Sequence, residues 1–491
     1  MILSIDQSTS ATKGLVWSNS GILTGRADVS HRQITNDQGW VEHDPLEIIK
    51  NTYKAAQNAL KTANIDAGEI SVIGISNQRE TAVCWDRDTG NPLYNAIVWQ
   101  CSRAVDIADK IRSAGLESDV RKSTGLTLSP YFSAAKFGWM VKHIPEVASA
   151  LKKGTLCCGT IDSWLLYKMT GEFKTDFSNA SRTQLFDLHS LSWNKTLVEA
   201  FGLTLDCLPE FCMSDSLFGM TDLDGLLPKP VPIHGMLGDS HGALFGNQCF
   251  EPFTAKATYG TGSSVMMNAG TTPPSPIDGV VASLAWGMNG KAEYVLEGNI
   301  NFAGAVIQWL VDDIGLIEST KNAGTIAKSV SDTGGVYLIP AFTGLGAPYF
   351  DNDARAAFVG MNRATKKAHL VRAAEECIAY QIRDVVEVIN QCSQKQLSVL
   401  RADGGPTREM FLMEFQAGIL NIPIEISQTE ELSGMGAAFC AAIGAELTDR
   451  ATIFSKQTSR RIDPNIPTST SDKLYNGWKC AVNMVKNNPN Q

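Results

Sequence analysis

Histidine is scarce in this chain, seven among 491 residues, and no two stand four apart, which argues against a helical pair of zinc ligands. The 11 cysteines are an odd number with no C-x-x-C spacing; Cys157 and Cys158 are simply adjacent. That pattern suits reduced thiols in a cytosol, not a disulfide framework. No run of 18 uncharged apolar residues exists to span a membrane. Met1 leads almost directly into an apolar run, leaving no room for the basic start of a signal peptide. The cytoplasm is therefore the expected location. Positive charge is also short: the net charge of −9 argues against nucleic acid or an anionic membrane surface as partner. A phosphate would have to be held by local groups. Neither G-x-x-x-x-G-K-[ST] nor G-x-G-x-x-G occurs at a strand-to-helix junction, which disfavours P-loop and Rossmann sites.

What is present is a soluble composition, 44% hydrophobic and 19% charged, in a chain too long for one core. The N-terminal half alternates strands and helices. "SVIGISN" (71–77) reads as a buried strand, and "PLEIIKNTYKAAQNALKTA" (45–63) as a helix capped by Asp44 with Pro45 in its first turn. "ILSIDQSTSATKGLVW" (2–17) reads as strand, turn, strand, and "AKATYGTGSSVMMNAG" (255–270) repeats that pattern where a second half begins. The expected organisation is an α/β chain with domains at 1–247 and 248–450 and a tail at 451–491 carrying one docked helix.

The first turn is built of Ser and Thr where hairpins ordinarily use Asn-Gly or Asp-Gly. It is either a solvated hairpin or a cradle whose N–H groups, hydroxyls and Lys13 meet an anion, with Asp6 placed to hold a metal. After the strand at 71–77, Arg79 and Glu80 supply planar donors and an acceptor suited to a hydroxyl-rich ligand, or form a surface ion pair. Trp99, after "NAIV", walls a pocket or belongs to the core. In "HGMLGDSHGALFG" (234–246), Asp239 at a glycine-flanked turn can accept a proton from an alcohol or cap a helix. "YGTGSS" (259–264) and "DGGPTRE" (403–409) are glycine turns that allow close approach to a phosphate or nucleoside.

In this order, "DQSTSATKG", "GISNQRETAVCWDRDTGNPLYNAIVWQ", "SNASRT", "GDSHGALFG", "TYGTGSS", "GAPYFDNDARAAFVGM" and "DGGPTREMFL" resemble the FGGY carbohydrate kinases, on their glycerol kinase branch, from the first strand to about residue 445. The resemblance implies two ribonuclease H-like domains, as in actin and hexokinase, with ATP and Mg²⁺ in the cleft between them. It implies Asp239 as catalytic base, Asp6 and Asp239 as magnesium carboxylates, and Arg79, Glu80, Trp99, Tyr131, Asp239, Ser240 and Ser264 around the polyol. Thr9, Ser10 and Lys13 would meet phosphate, and Thr261, Gly262, Gly304, Gln308, Gly405 and Glu409 the nucleotide. The partner expected is a small polyol or sugar, with homodimer and tetramer both left open.

The chain departs from that branch at four places. Cys101 and Ser102 replace an Asp and an Arg, Ser240 with His241 follows the base where Gln is usual, Ser264 stands for Phe, and Glu409 for Asn. The two serines imply a roomier, wetter pocket, which favours a four- or five-carbon polyol with glycerol close behind. A ketopentose kinase of the same family is the alternative, and a non-catalytic actin-like nucleotide binder a more distant one.

Overall fold

A computed structural model describes residues 1–393 and 395–486. Strands Ile2–Gln7 and Ala11–Trp17 pair antiparallel about the Ser/Thr turn. They belong to a six-stranded sheet ordered Gly219–Thr221, Val231–Gly238, Val72–Asn77, Ile2–Gln7, Ala11–Trp17 and Leu23–Ser30. The second, third and fourth of these strands run parallel to one another. Every residue of Ile2–Gln7 is buried, as expected for a sheet covered on both faces.

One covering helix is Pro45–Ala63, which starts where Asp44 accepts a hydrogen bond from the Leu46 N–H at 2.8 Å. On the opposite face lies Leu432–Gly444, a helix of mostly small residues. A Cβ on Gly74 would sit 2.4 Å from the Ala437 carbonyl oxygen, so only glycine lets this helix approach the sheet so closely. The same helix crosses Asp239–Gly246 with comparable intimacy: a Cβ on Gly436 would meet the Gly242 carbonyl oxygen at 2.0 Å. That crossing holds the helix that starts with Asp239.

The second sheet has seven strands ordered Val281–Met288, Lys291–Ile300, Ser263–Gly270, Ala255–Tyr259, Leu400–Asp403, Ile424–Ser427 and Ser459–Ile462. From its second strand onward, the pairings run antiparallel, antiparallel, parallel, parallel, antiparallel. The first sheet, read from Leu23–Ser30, gives that same series. The two hairpins therefore occupy equivalent places in duplicated sheets. The long helix Lys367–Ser393 packs in this second unit.

The C-terminal segment is more than a surface cover. Ser459–Ile462 forms the sheet's edge, and in helix Thr468–Lys486 the buried Trp478 stacks on Tyr380 at 5.3 Å and donates to Asp384 at 2.8 Å. The mostly exposed "SRRI" edge strand hides this role in sequence. Helix Leu432–Gly444, although late in the chain, returns to the first sheet. Helices Val105–Ser113, Glu117–Thr124, Ser133–His143 and Pro145–Lys153 add a cap with its own apolar core, into which Cys101 is buried. There the Cys101 Sγ accepts from Arg103 Nε at 3.1 Å. Among the described residues, no helix is long and apolar enough to cross a membrane.

Candidate active site

Three parallel strands end together. Gln7 is in register with Asn77, and Asn77 with Gly238. At the usual spacing of about 4.8 Å between strands, Asp6, the loop after Asn77 and Asp239 emerge at one sheet edge within about 10 Å. Asp239 is the first residue of its helix, with Gly238 at the cap position. Its Oδ1 accepts from the Ser240 N–H at 2.6 Å and lies 3.4 Å from Arg79 Nε. The side chain is 36% exposed, and Lys256 of the second unit is near enough to act on its charge. Burial pushes the Asp239 carboxyl up; Arg79 opposes this and the Asp6 charge adds to it.

Asp6 is buried, with Oδ2 3.5 Å from Lys13 Nζ and Oδ1 without a hydrogen-bond partner. Burial raises its carboxyl against the pull of Lys13. Lys13 itself bonds Glu431 at 2.7 Å, and Arg26 bonds the other oxygen of Glu431 at 2.5 Å. The ammonium expected to meet phosphate is thus engaged by two carboxylates. At the hairpin tip, the Thr9 carbonyl is held by His31 Nε2 at 2.8 Å and by Gln33 Nε2 at 2.7 Å, while Ser10 is exposed. The Thr9 hydroxyl accepts from Trp99 Nε1 at 2.9 Å. Trp99 is half-buried beside that tip, with its ring edge-on to Tyr131 at 5.5 Å.

Arg79 and Glu80 do converge, but with a partner that sequence reasoning missed. The Arg79 guanidinium grips Glu297 in two hydrogen bonds of 3.0 and 2.8 Å, and Arg182 Nη1 lies 2.9 Å from the same carboxylate. Arg182 Nε donates to Glu80 at 2.6 Å, and Ser264 donates to Glu297 at 3.1 Å. All four charged side chains are nearly inaccessible. Burial would raise the Glu297 carboxyl, but Arg182 and Arg79 hold it well below the usual range. This is no surface ion pair. Glu297 lies on strand Lys291–Ile300, so the cluster ties the first unit's loop to the second unit's sheet. Glu80 adopts a left-handed backbone, φ 57°, a strain that non-glycine residues carry mainly at functional sites.

Lys256 was also missed: it is buried in strand Ala255–Tyr259, its Nζ donating to Thr258 at 2.8 Å. His241, behind Ser240, is buried with Nδ1 unpartnered. A lysine within the apolar "AKATY" and a glutamate within "YVLEGNI" were the available signals. Ser240 itself is half-buried.

In the second unit, Thr261, Gly304, Gln308, Gly405 and Glu409 line one cavity of about 920 Å³. Gly262 stands just beside it, pressed so close to the chain that a Cβ would meet the Ile300 carbonyl oxygen at 2.3 Å. The Gln308 amide donates to Asp312 at 2.7 Å. The cavity thus starts from the second hairpin turn, Gly260 and Thr261, as the group of Asp6, Thr9 and Trp99 gathers at the first.

Residues 1–246 match the N-terminal domain of the FGGY family of carbohydrate kinases, and residues 255–445 its C-terminal domain. The chain is 45% identical over 489 residues to "Glycerol kinase 1" of Thermotoga maritima, covering 99% of each chain. It is 43% identical to "Glycerol kinase" of Carboxydothermus hydrogenoformans over 99% of this chain and 98% of that one. Among solved structures, Plasmodium falciparum glycerol kinase with ADP superposes with a TM-score of 0.93 at 34% identity, covering 99% of this chain and 98% of that one. Xylulose kinase of Lactobacillus acidophilus shares the fold, at a TM-score of 0.90 and 22% identity over 99% and 98% of the two chains. With both domains matched and the duplicated sheets in place, the chain belongs to the FGGY family of carbohydrate kinases and is a kinase with that family's two-domain, actin- and hexokinase-like fold.

Proposed function

We propose that this enzyme transfers the γ-phosphoryl group of ATP to a terminal hydroxyl of a short polyol, with glycerol as the first candidate. The observation that carries the reading is the emergence of Asp6 and Asp239 at the same end of two parallel strands that flank Val72–Asn77. The nucleotide would lie in the cavity at the second hairpin turn, and the polyol between Arg79, Glu80, Trp99, Tyr131 and Asp239. The polyol oxygen bonds the γ-phosphorus as the bond to the bridging oxygen breaks, releasing ADP. Asp239 orients the hydroxyl and takes its proton late, since positioning and charge neutralisation dominate a loose transition state. Its raised carboxyl favours accepting that proton.

Asp6 and Asp239 offer hard oxygen donors, and Asp6 Oδ1 is buried and unpartnered, which fits Mg²⁺. Mg²⁺ uses one or two carboxylates plus phosphate and water, so it needs no cage of three or more protein ligands; none forms among the described residues. When bound, the ion would offset charge on the phosphoryl oxygens. Lys13 would join it on releasing Glu431.

Relatives named glycerol kinase over nearly the full length support glycerol. The second reading, a four- or five-carbon polyol, is favoured by the small Ser240 and Ser264. Against it, Ser264 spends its hydroxyl on Glu297, so the gap a Phe would have filled stands against a buried charge cluster. The test is kcat/KM for glycerol, erythritol, xylitol, arabinitol and a ketopentose. Glycerol is expected to lead by at least about tenfold, the scale of discrimination one methylene provides. A clear lead for a longer polyol moves the substrate to the second reading, and turnover of the ketopentose alone contradicts the polyol class.

A further inference from the structure

The cavity at the second hairpin turn holds two carboxyls that phosphoryl transfer does not use. Glu375 lies on the long helix Lys367–Ser393 and Glu409 at the start of Met410–Leu420, and both line the cavity. Glu375 is 2% exposed, and its side chain makes no hydrogen bond or ion pair among the described residues. Glu409 caps its helix through one oxygen, Oε1, which accepts the Phe411 N–H at 3.0 Å. Glycine at 324 makes room for this carboxylate, since a Cβ there would lie 2.0 Å from Oε1. The neighbouring Arg408 is paired with Glu430.

A buried, unpartnered carboxyl is costly unless something completes it. Resting on the reading of this cavity as the nucleotide site, we propose that Glu375 and Glu409 read the exocyclic amine of the nucleobase, selecting donors that carry an amine there over donors that carry a carbonyl. The donor set fits that edge. Burial and the charge of Glu409 push the Glu375 carboxyl up to about 8, so at neutral pH it offers one O–H donor and one C=O acceptor. Glu409 has Oε2 left to accept, since Oε1 already takes the Phe411 N–H. Adenine presents an amine, which donates, beside a ring nitrogen, which accepts. Inosine places a carbonyl oxygen where adenine has its amine and a ring N–H where adenine has its acceptor; Glu375 pairs with either edge by turning its O–H, but the Glu409 oxygen then faces an acceptor.

The experiment compares kcat/KM for ATP and for inosine triphosphate at saturating polyol, in wild type and in four variants. Wild type is expected to favour ATP by at least about thirtyfold, as sites built to hydrogen-bond a substrate reject analogues that cannot. Glu409→Ala should lower that ratio by at least about tenfold through nucleotide KM, and Glu375→Leu should raise KM for both nucleotides, with polyol KM unmoved in each. Glu375→Gln keeps one donating and one accepting edge and should retain nucleotide KM. Ala305→Trp, a half-buried helix position on the cavity wall, fills the space and should raise ATP KM. An unchanged ratio in Glu409→Ala overturns the amine reading, and unmoved nucleotide KM in Glu375→Leu removes Glu375 from it. If Ala305→Trp also leaves ATP KM alone, the cavity assignment falls with it; if it raises KM, only the amine reading falls.

Discussion

Asp239→Asn folds, binds ATP and phosphorylates its polyol at least about a hundredfold more slowly than wild type, the loss typical when a general base is removed. The side chain keeps its shape and its hydrogen bond from the Ser240 N–H. It loses the ability to take a proton and the charge that faces Arg79 at 3.4 Å. Asp239 sits at the helix start without capping it, so the change should cost little stability. Single-turnover assays with bound nucleotide separate the chemical step from binding. Near-wild-type turnover would remove Asp239 from the chemistry, whereas a rise in ATP KM at unchanged kcat would make it a binding residue only.

The second large effect is on stability. Glu297→Ala leaves Arg79 and Arg182 buried without the carboxylate that both address. Removing one partner from a buried ion pair typically costs about 3–5 kcal/mol, because the remaining charge is uncompensated. Two arginines depend on Glu297, so the upper part of that range is expected. Glu297→Gln, which keeps the shape and one acceptor, should lose less. The Glu297 carboxyl titrates below its unfolded value of roughly 4.3, so its contribution is fully present above that pH and is lost as pH falls through the folded value. Denaturant titration at neutral pH measures the loss, and a difference under about 1 kcal/mol for Glu297→Ala would show that the cluster is not a structural tie. Polyol KM should rise with it, because the loop carrying Arg79 and Glu80 is anchored there.

Much of the site could be read before the fold was known, because its signals are local. The turn after Asp6, the glycines flanking Asp239 and the second hairpin are each compact strings whose geometry depends on a few neighbours. The helix at 45–63 was equally legible from its Asp44 cap and its period. What escaped were long-range pairings. Glu297 meets Arg79 across 218 residues of chain, and Glu431 meets Lys13 across 418. A charge inside an apolar strand signals that a partner exists without saying which. Arg79 and Glu80 were therefore legible as a convergent pair but not as half of a four-residue cluster. Lys13 was legible as a cation at the turn but not as one already engaged. Glu375, one of two adjacent glutamates on an ordinary amphipathic helix, carried no sequence signal at all; only the cavity beside it makes it a candidate.

Substrate and nucleotide are proposed to meet beside Asp6 and Asp239, at the end of the parallel strands that carry them. A crystal structure with glycerol and a non-hydrolysable ATP analogue tests it most directly. The triphosphate is expected to run from the cavity toward the Ser/Thr turn, with a polyol oxygen about 3–3.5 Å from the γ-phosphorus and within hydrogen-bond reach of Asp239. A γ-phosphate bound away from both carboxylates, with the polyol on another surface, would contradict it.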